Sequence, residues 1–368
     1  MDRVGLGCED PLLWGRDSVS FCSNQGGLLD VHAPVLVTGA TGFVGRAVCQ
    51  LLAAQGCSVH ALVRRDPPLD AGLHRPGITL ARGALDARES LVAATRGVAT
   101  IVHCAGGGRA TSIDALYANN RDTTVNLLDA CRDASVRRFV FVSSVAALGP
   151  SPTATPEPPD TAPHPVTHYG RSKAEAEALV TAWGAAQGLE TAILRPPTIY
   201  GPGDDRLLPL FQGALRGFVP FPAPVRGISL AHVDDVAAAI AGLALAETVA
   251  PTPHTVSSGA PVAPEAFATA LGRAVGRAGR VRAVRVPLAL LAATARANEG
   301  LARLRGTWAL FNRDKVVEIS QPYWVCGDSA PRLPHRDPPL GSRPASVPLS
   351  EGLTATAADF RARGWLKG

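Results

Sequence analysis

Tyr169 and Lys173 stand four residues apart in the run Tyr-Gly-Arg-Ser-Lys. On a helix that spacing puts both side chains on one face. A phenol ordinarily keeps its proton up to about pH 10, which makes it a poor base at neutral pH. An ammonium beside it favours the phenolate and lowers that pKa. Tyr169 could then exchange a proton with a carbonyl or hydroxyl oxygen. Such a pair recurs by chance, so its setting has to carry the assignment. Ser143 and Ser144 close the apolar run Phe139 to Val142, and Ser144 precedes Tyr169 by 25 residues. At the end of a buried parallel strand, Ser144 would face the ligand crevice and donate a hydrogen bond to a reacting oxygen. Ser143 reads as structural or as a neighbour of the cofactor.

A second set of residues points to a nucleotide. Residues 38–45 read Thr-Gly-Ala-Thr-Gly-Phe-Val-Gly. Gly39 permits a tight turn, Gly42 lets the backbone approach a pyrophosphate, and Gly45 lets a helix pack close to the strand. Thr41, Phe43 and Val44 fill the same turn, and the helix opening there presents free N–H groups to phosphate. At the end of the next strand, Val63 is followed by Arg64 and Arg65. Two guanidinium groups suit a ribose 2′-phosphate, so NADP is the expected cofactor. NAD is the alternative, because Asp66 could reach a ribose hydroxyl. No His, Cys or carboxylate cluster has metal-ligand spacing, and no metal is expected.

The elements that must position these groups alternate. Apolar runs at 35–37, 59–63, 100–102, 139–142 and 192–194 read as strands. Helical spacing runs over 43–55, 113–133 and 170–187. This rhythm predicts an α/β fold, a Rossmann-type doubly wound parallel sheet. The dinucleotide-binding domain is expected over 34–200, with one more strand and helix at 228–247 returning to it. Residues 201–227 and 248–368 are expected to form a smaller C-terminal substrate lobe and tail, with 327–348 irregular. Residues 1–33 read as a loose N-terminal extension.

Hydrophobic residues make up 46% of the 368 residues and charged ones 18%, which suits a packed core and argues against global disorder. The formal charge of +5 is concentrated. Arg273, Arg277, Arg280, Arg282, Arg285, Arg296, Arg303 and Arg305 share one stretch with only Glu299 against them. That stretch reads as a solvated helical face, with peripheral contact to anionic lipid as the sharper alternative. No aromatic-rich basic motif accompanies it, so nucleic acid is not an expected partner. The seven Cys include no C-x-x-C pair and suggest neither a disulfide framework nor zinc. No signal peptide and no membrane span are expected, which makes the expected location cytoplasmic.

The Gly-x-x-Gly-x-x-Gly run, the interval from Ser144 to Tyr169 and the Tyr-x-x-x-Lys together resemble the extended short-chain dehydrogenases/reductases, the NAD-dependent epimerase/dehydratase superfamily. The likeness runs from about Val35 to the C-terminus and is strongest up to Asp235. It implies catalytic roles for Ser144, Tyr169 and Lys173, with Asn120 beside them. It implies cofactor contacts at Gly39, Thr41, Gly42, Phe43, Val44, Gly45, Arg64, Arg65, Leu85, Cys104, Ala105, Tyr169, Lys173, Pro196 and Thr198. His232-Val-Asp-Asp resembles the family segment that keeps the two lobes in register. Ala84 departs from the pattern, because the family often places there an Asp that meets the adenine.

Ser144 is followed by Val145, so a sugar-nucleotide dehydratase would lack its acid. Thr198 stands where epimerases usually have an Asn. The segment Leu194-Arg-Pro-Pro-Thr-Ile-Tyr-Gly-Pro-Gly looks more like the 3β-hydroxysteroid dehydrogenase and dihydroflavonol reductase branch. The resemblance thus implies hydride transfer between a secondary alcohol and a ketone on a bulky, apolar ring substrate, steroid-, flavonoid- or terpenoid-like. A nucleotide-sugar epimerase with tightly held NAD is the second reading, and a non-catalytic dinucleotide-binding sensor or assembly protein the third. The small-molecule substrate is the main expected partner, with a homodimer suggested by the family.

Overall fold

The apolar run Val35–Thr38 forms strand β1, buried along its whole length. Gly39 ends it in a left-handed turn at φ +65°, leading into α1 (Phe43–Ala54). The computed structural model describes residues 34–333 and 346–367, apart from Arg109, Asp133, Ser135, Gly306, Trp308 and Leu310. The extension expected at 1–33 lies outside the described residues, as does part of the tail expected at 327–348.

Strand and helix then alternate through β2 (Val59–Val63), β3 (Ile78–Arg82), α2 (Arg88–Thr95), β4 (Thr100–His103), α3 (Ile113–Tyr117) and α4 (Thr123–Arg132). The series continues with β5 (Arg138–Val142), α5 (Val145–Leu148), α6 (His168–Gln187) and β6 (Glu190–Arg195). Beyond it come β7 (Thr198–Tyr200), α7 (Leu208–Arg216), β8 (Phe218–Pro222), β9 (Gly227–Ile228), β10 (Leu230–His232), α8 (Val233–Leu245) and β11 (His254–Thr255). The last elements are α9 (Pro264–Ala274), β12 (Arg282–Val286), α10 (Leu288–Leu304), α11 (Arg313–Ile319), β13 (Tyr323–Trp324) and α12 (Leu349–Ala362).

Seven parallel strands form the main sheet in the order β11-β6-β5-β4-β1-β2-β3. The fold is therefore the doubly wound parallel sheet that the alternation predicts. Its strands bury both faces because alternate residues feed separate cores. Val35 and Val37 pack with α1 and α8, while Leu36 packs with α2, α4 and α6. The chain reverses direction across the sheet between β1 and β4, which opens a crevice at their C-terminal ends.

A third core around Phe211, Phe221, Phe267 and Phe360 belongs to the smaller lobe of α7, α9, α12 and the β8–β12 ribbon. The segment 228–247 divides differently from its sequence pattern. Helix α8 packs on the main sheet beside α1, but β10 pairs with β7 in a separate two-stranded sheet. The seventh strand is β11, two residues long and too short to stand out as an apolar run. Arg138, fully buried, fixes α8 by donating to Leu243 O and Ala244 O at 3.2 Å each while pairing with Glu190. Its charge meets the carbonyl end of the helix, where a cation is favoured. No helix among the described residues is long and apolar enough to cross a membrane.

Candidate active site

The glycine turn is built to receive a pyrophosphate. A Cβ on Gly39 would lie 2.8 Å from Ala105 N, and one on Gly45 would lie 2.3 Å from Gly39 O. Side chains at these places would push β1, α1 and the end of β4 apart. Gly42 caps α1 without a side-chain hydrogen bond, leaving the first N–H groups of the helix open at the crevice. These residues fit a dinucleotide.

Ser144, Tyr169 and Lys173 converge at the C-terminal end of β5. Ser144 is the N-cap of α5, and its Oγ accepts from Ala146 N at 3.1 Å. Thr167 caps the N-terminus of α6 by accepting from Gly170 N at 3.1 Å, which sets Tyr169 on the first turn. Lys173 lies one turn on, buried, with Nζ donating to Val142 O at 2.8 Å and sitting 4.6 Å from the centre of the Phe141 ring.

Burial pushes the Tyr169 pKa up, with the Ser144 hydroxyl opposing it. Burial also lowers Lys173 to about 8. Lys173 Nζ is directed at the β5 carbonyl of Val142. A high phenol pKa keeps Tyr169 protonated at neutral pH, the state needed to give a proton to a carbonyl oxygen.

Asn120 sits in a π-helical turn, Ala118–Asp122, inserted between α3 and α4, a feature common at functional sites. Its Oδ1 accepts from Gly107 N at 2.8 Å, and its Nδ2 donates to Gly107 O and to Ser172 Oγ at 3.2 and 3.1 Å. The side chain is thus a brace between the loop after β4 and helix α6. Behind it runs a buried chain that the sequence did not disclose. Thr38 Oγ1 meets His103 Nδ1 at 2.6 Å, His103 Nε2 meets Thr124 Oγ1 at 3.1 Å, and Thr124 Oγ1 donates to Asn120 O at 2.7 Å. Burial lowers the His103 pKa to about 3, so the ring is neutral and its two nitrogens divide into one donor and one acceptor.

The other residues expected to meet the cofactor have these surroundings. Pro196 O accepts from Val145 N at 3.0 Å, next to Ser144. Cys104 is half-buried behind the glycine turn, and burial pushes its thiol pKa up. Leu85 O accepts from Asn126 Nδ2 at 2.9 Å. Thr198 is exposed on β7. At the position where the family often has Asp, Ala84 N donates to Ser90 Oγ at 3.1 Å.

A cavity of about 770 Å³ opens at the end of β2, lined by Thr41, Arg46, Arg64, Arg65, Asp66 and Arg363 among others. Arg64 and Arg65 are exposed to it. Asp66, the acidic residue among those that line the cavity, pairs with Arg82. Arg46 and Arg363 were not legible as site residues. Arg46 directly follows Gly45, a signal that was there to be used. Arg363 comes from the last helix of the other lobe, and only tertiary structure brings it here.

Asp235 of the His-Val-Asp-Asp segment is buried, accepting from Ser258 Oγ and from Val347 N at 3.2 Å, and so ties the C-terminal segment to α8. Asp314 accepts from His168 N at 3.1 Å, which fastens α11 to the start of α6.

Comparison with known proteins adds the lineage. Residues 35–257 match the NAD dependent epimerase/dehydratase family. The ceramide reductase of Caulobacter vibrioides is 29% identical over 348 residues, covering 92% of this chain and 97% of that protein. Sterol demethylase protein B of Methylococcus capsulatus is 36% identical over 196 residues, covering 50% of this chain and only 59% of that protein. The UDP-glucose 4-epimerase of Thermus thermophilus, solved with NAD, has a TM-score of 0.62 at 23% identity over 89% of this chain and 99% of that one, a likeness of fold.

Proposed function

The chain belongs to the NAD-dependent epimerase/dehydratase family, and within it we propose an NADP-dependent reductase that converts a ketone to a secondary alcohol on a bulky, apolar molecule. The observation that carries this reading is the convergence of Ser144, Tyr169 and Lys173 at the C-terminal end of β5, where Ser144 caps α5, Tyr169 lies on the first turn of α6 and Lys173 Nζ donates to Val142 O at 2.8 Å. When bound, a reduced nicotinamide supplies a hydride to the carbonyl carbon. Tyr169 gives its phenolic proton to the carbonyl oxygen, so that the alcohol leaves neutral. Ser144 donates a hydrogen bond to the same oxygen as negative charge builds on it. Lys173, buried behind them, would hold the ribose hydroxyls of a bound cofactor.

The four arginines around the β2 cavity support the phosphorylated cofactor, because the carboxylate that could favour a free 2′-hydroxyl is already paired with Arg82. The substrate class has support from the relatives. A ceramide reductase matches along nearly its whole length, and a sterol-modifying protein matches over about half of this chain. Both name apolar lipids, one with long chains and one with fused rings. The ring substrate implied by the Leu-Arg-Pro-Pro segment and a long-chain amide lipid bearing a ketone are therefore the two classes to assay.

NADPH and NADH titrated against the purified full chain, followed by nicotinamide fluorescence, test the reading. Much tighter NADPH binding, with NADPH consumed on a steroid or long-chain ketone, is the expected result. Copurified NAD and no preference for NADPH would overturn the cofactor assignment and favour an epimerase.

A further inference from the structure

Helix α10 shows apolar residues to solvent. Its inner face is accounted for: Ala295 and Ala302 are buried, Asn298 donates to Phe311 O at 2.8 Å, and Glu299 pairs with Arg313 at 3.0 Å. The opposite face carries Leu290, Ala293, Ala297, Leu301 and Leu304, at intervals of three and four residues that stack them into one stripe. All five are exposed, Leu290 by 59% and Leu304 by 87%. A helix of this kind ordinarily turns such a stripe inward and its charges outward.

The rim of the stripe is cationic. By helical geometry, Arg296 and Arg303 flank it on one side and Arg305, just past the helix end, on the other. All three are exposed, and none pairs with a carboxylate among the described residues. Glu299 is the only acidic residue between Val281 and Arg305, and it faces inward. Strand β12 runs into α10 through Pro287 and adds to the pattern. In the β8–β12 ribbon, Phe218 stands beside Arg282, and Phe218, Arg282 and Val284 are all exposed. Two other basic residues of this stretch serve the fold: Arg277 binds Leu215 O and Arg285 pairs with Glu265.

We propose that the outer face of α10 docks the protein on an anionic lipid surface. An apolar stripe bordered by arginines is the arrangement by which a helix lies in the plane of a bilayer, its apolar side among the acyl chains and its cations at the headgroups. A second copy of the chain fits less well. Two-fold pairing through this stripe would bring one all-cationic rim against another. Docking would also serve the site. The inner face of α10 packs on α11, whose Asp314 binds His168 N, the residue before Tyr169. The lipid surface would thus lie one helix pair away from the catalytic turn. Docking itself stands on α10 alone, whereas delivery of an apolar substrate rests on the function proposed above.

The test is flotation of the full chain with vesicles of neutral phosphatidylcholine or of phosphatidylcholine mixed with phosphatidylglycerol, without cofactor or substrate. The expected result is binding to the anionic vesicles alone, weakened by salt. It should fall about tenfold or more in the triple variant Leu290→Ser, Leu301→Ser, Leu304→Ser and in Arg296→Glu, Arg303→Glu. These positions are exposed, and unchanged NADPH titration of each variant verifies its fold. Equal binding by variants and parent would overturn the proposal. So would a dimer in solution that the leucine variants split, which would assign the face to a second copy. Failure of docking with NADPH binding intact leaves the reductase reading standing, so the two are separable.

Discussion

Asn120 Nδ2 donates to Ser172 Oγ across 3.1 Å, and Ser172 Oγ donates in turn to the carbonyl oxygen of Tyr169 at 2.8 Å. Two residues that touch no reacting atom thus fix the register of the helix turn that presents the phenol. The other arm of Asn120 grips Gly107, so the loop after β4 and helix α6 move as one body.

Asn120→Ala should therefore act by misplacement. Removing the amide leaves Gly107 N and its buried surroundings short of partners, at a cost of about 1–3 kcal/mol. Ketone reduction is expected to lose kcat, with a smaller change in NADPH affinity. Thermal unfolding and a steady-state split of kcat and KM check this. A variant with an unchanged kcat would make Asn120 a packing residue.

Arg64 and Arg65 give a sharper test of the cofactor. A charge-assisted hydrogen bond contributes about 1.5–3 kcal/mol, or roughly ten- to a hundredfold in affinity. Arg64→Ala with Arg65→Ala should weaken NADPH by at least about tenfold and leave NADH within about twofold. Arg363→Ala should shift NADPH in the same direction by less, since that side chain is also held by Asp359 at 2.8 Å and stacked on Trp365. Parallel fluorescence titrations measure all three. If NADPH and NADH weaken equally, the arginines do not read the 2′-phosphate.

Much of this site is legible in the sequence, for identifiable reasons. The strand at 139–142 is an unbroken apolar run and that at 59–63 nearly so, because both sheet faces are covered, and Gly39 and Gly45 sit where side chains would clash with backbone. Residues whose role depends on distant partners were out of reach. His103 reads as one more strand residue until Thr38 and Thr124 close on its two nitrogens. Arg363 reaches the β2 cavity only because α12 folds back across the lobe boundary. The Lys173 assignment shows the opposite limit. Spacing placed it on the right face, but its ammonium is committed to Val142 O.

His103 should make the fold acid-sensitive. Its folded pKa of about 3 lies below the ordinary 6.5, so the unfolded chain takes up the proton first. Stability then falls as pH drops from about 6.5 toward 3. Denaturant melts across that range should show the loss, and His103→Gln should flatten this part of the profile even if it lowers stability at neutral pH. An equally steep profile in the variant would assign the acid lability to other groups.

Lys173 should run the other way and oppose activity to stability. Its pKa falls from 10.5 to about 8 because the charged form is buried. At ~1.4 kcal/mol per pKa unit, keeping it charged at neutral pH costs the fold roughly 3 kcal/mol. The folded lysine loses its proton near pH 8 while the unfolded one holds it to about 10.5, so this cost is fully present below pH 8 and fades as pH rises through that window. Lys173→Met removes the charge but leaves Val142 O without its donor, which returns about 1 kcal/mol. The variant should therefore melt about 2 °C or more above the parent at pH 7, with the gain shrinking toward pH 10. It should lose NADPH-dependent reduction, and parent activity should itself decline above about pH 8 as Lys173 deprotonates. Melting curves at pH 7 and 10 with a pH–rate profile decide it. A variant less stable than the parent at pH 7 would mean that the lysine holds the fold together, and the trade-off would have to be abandoned.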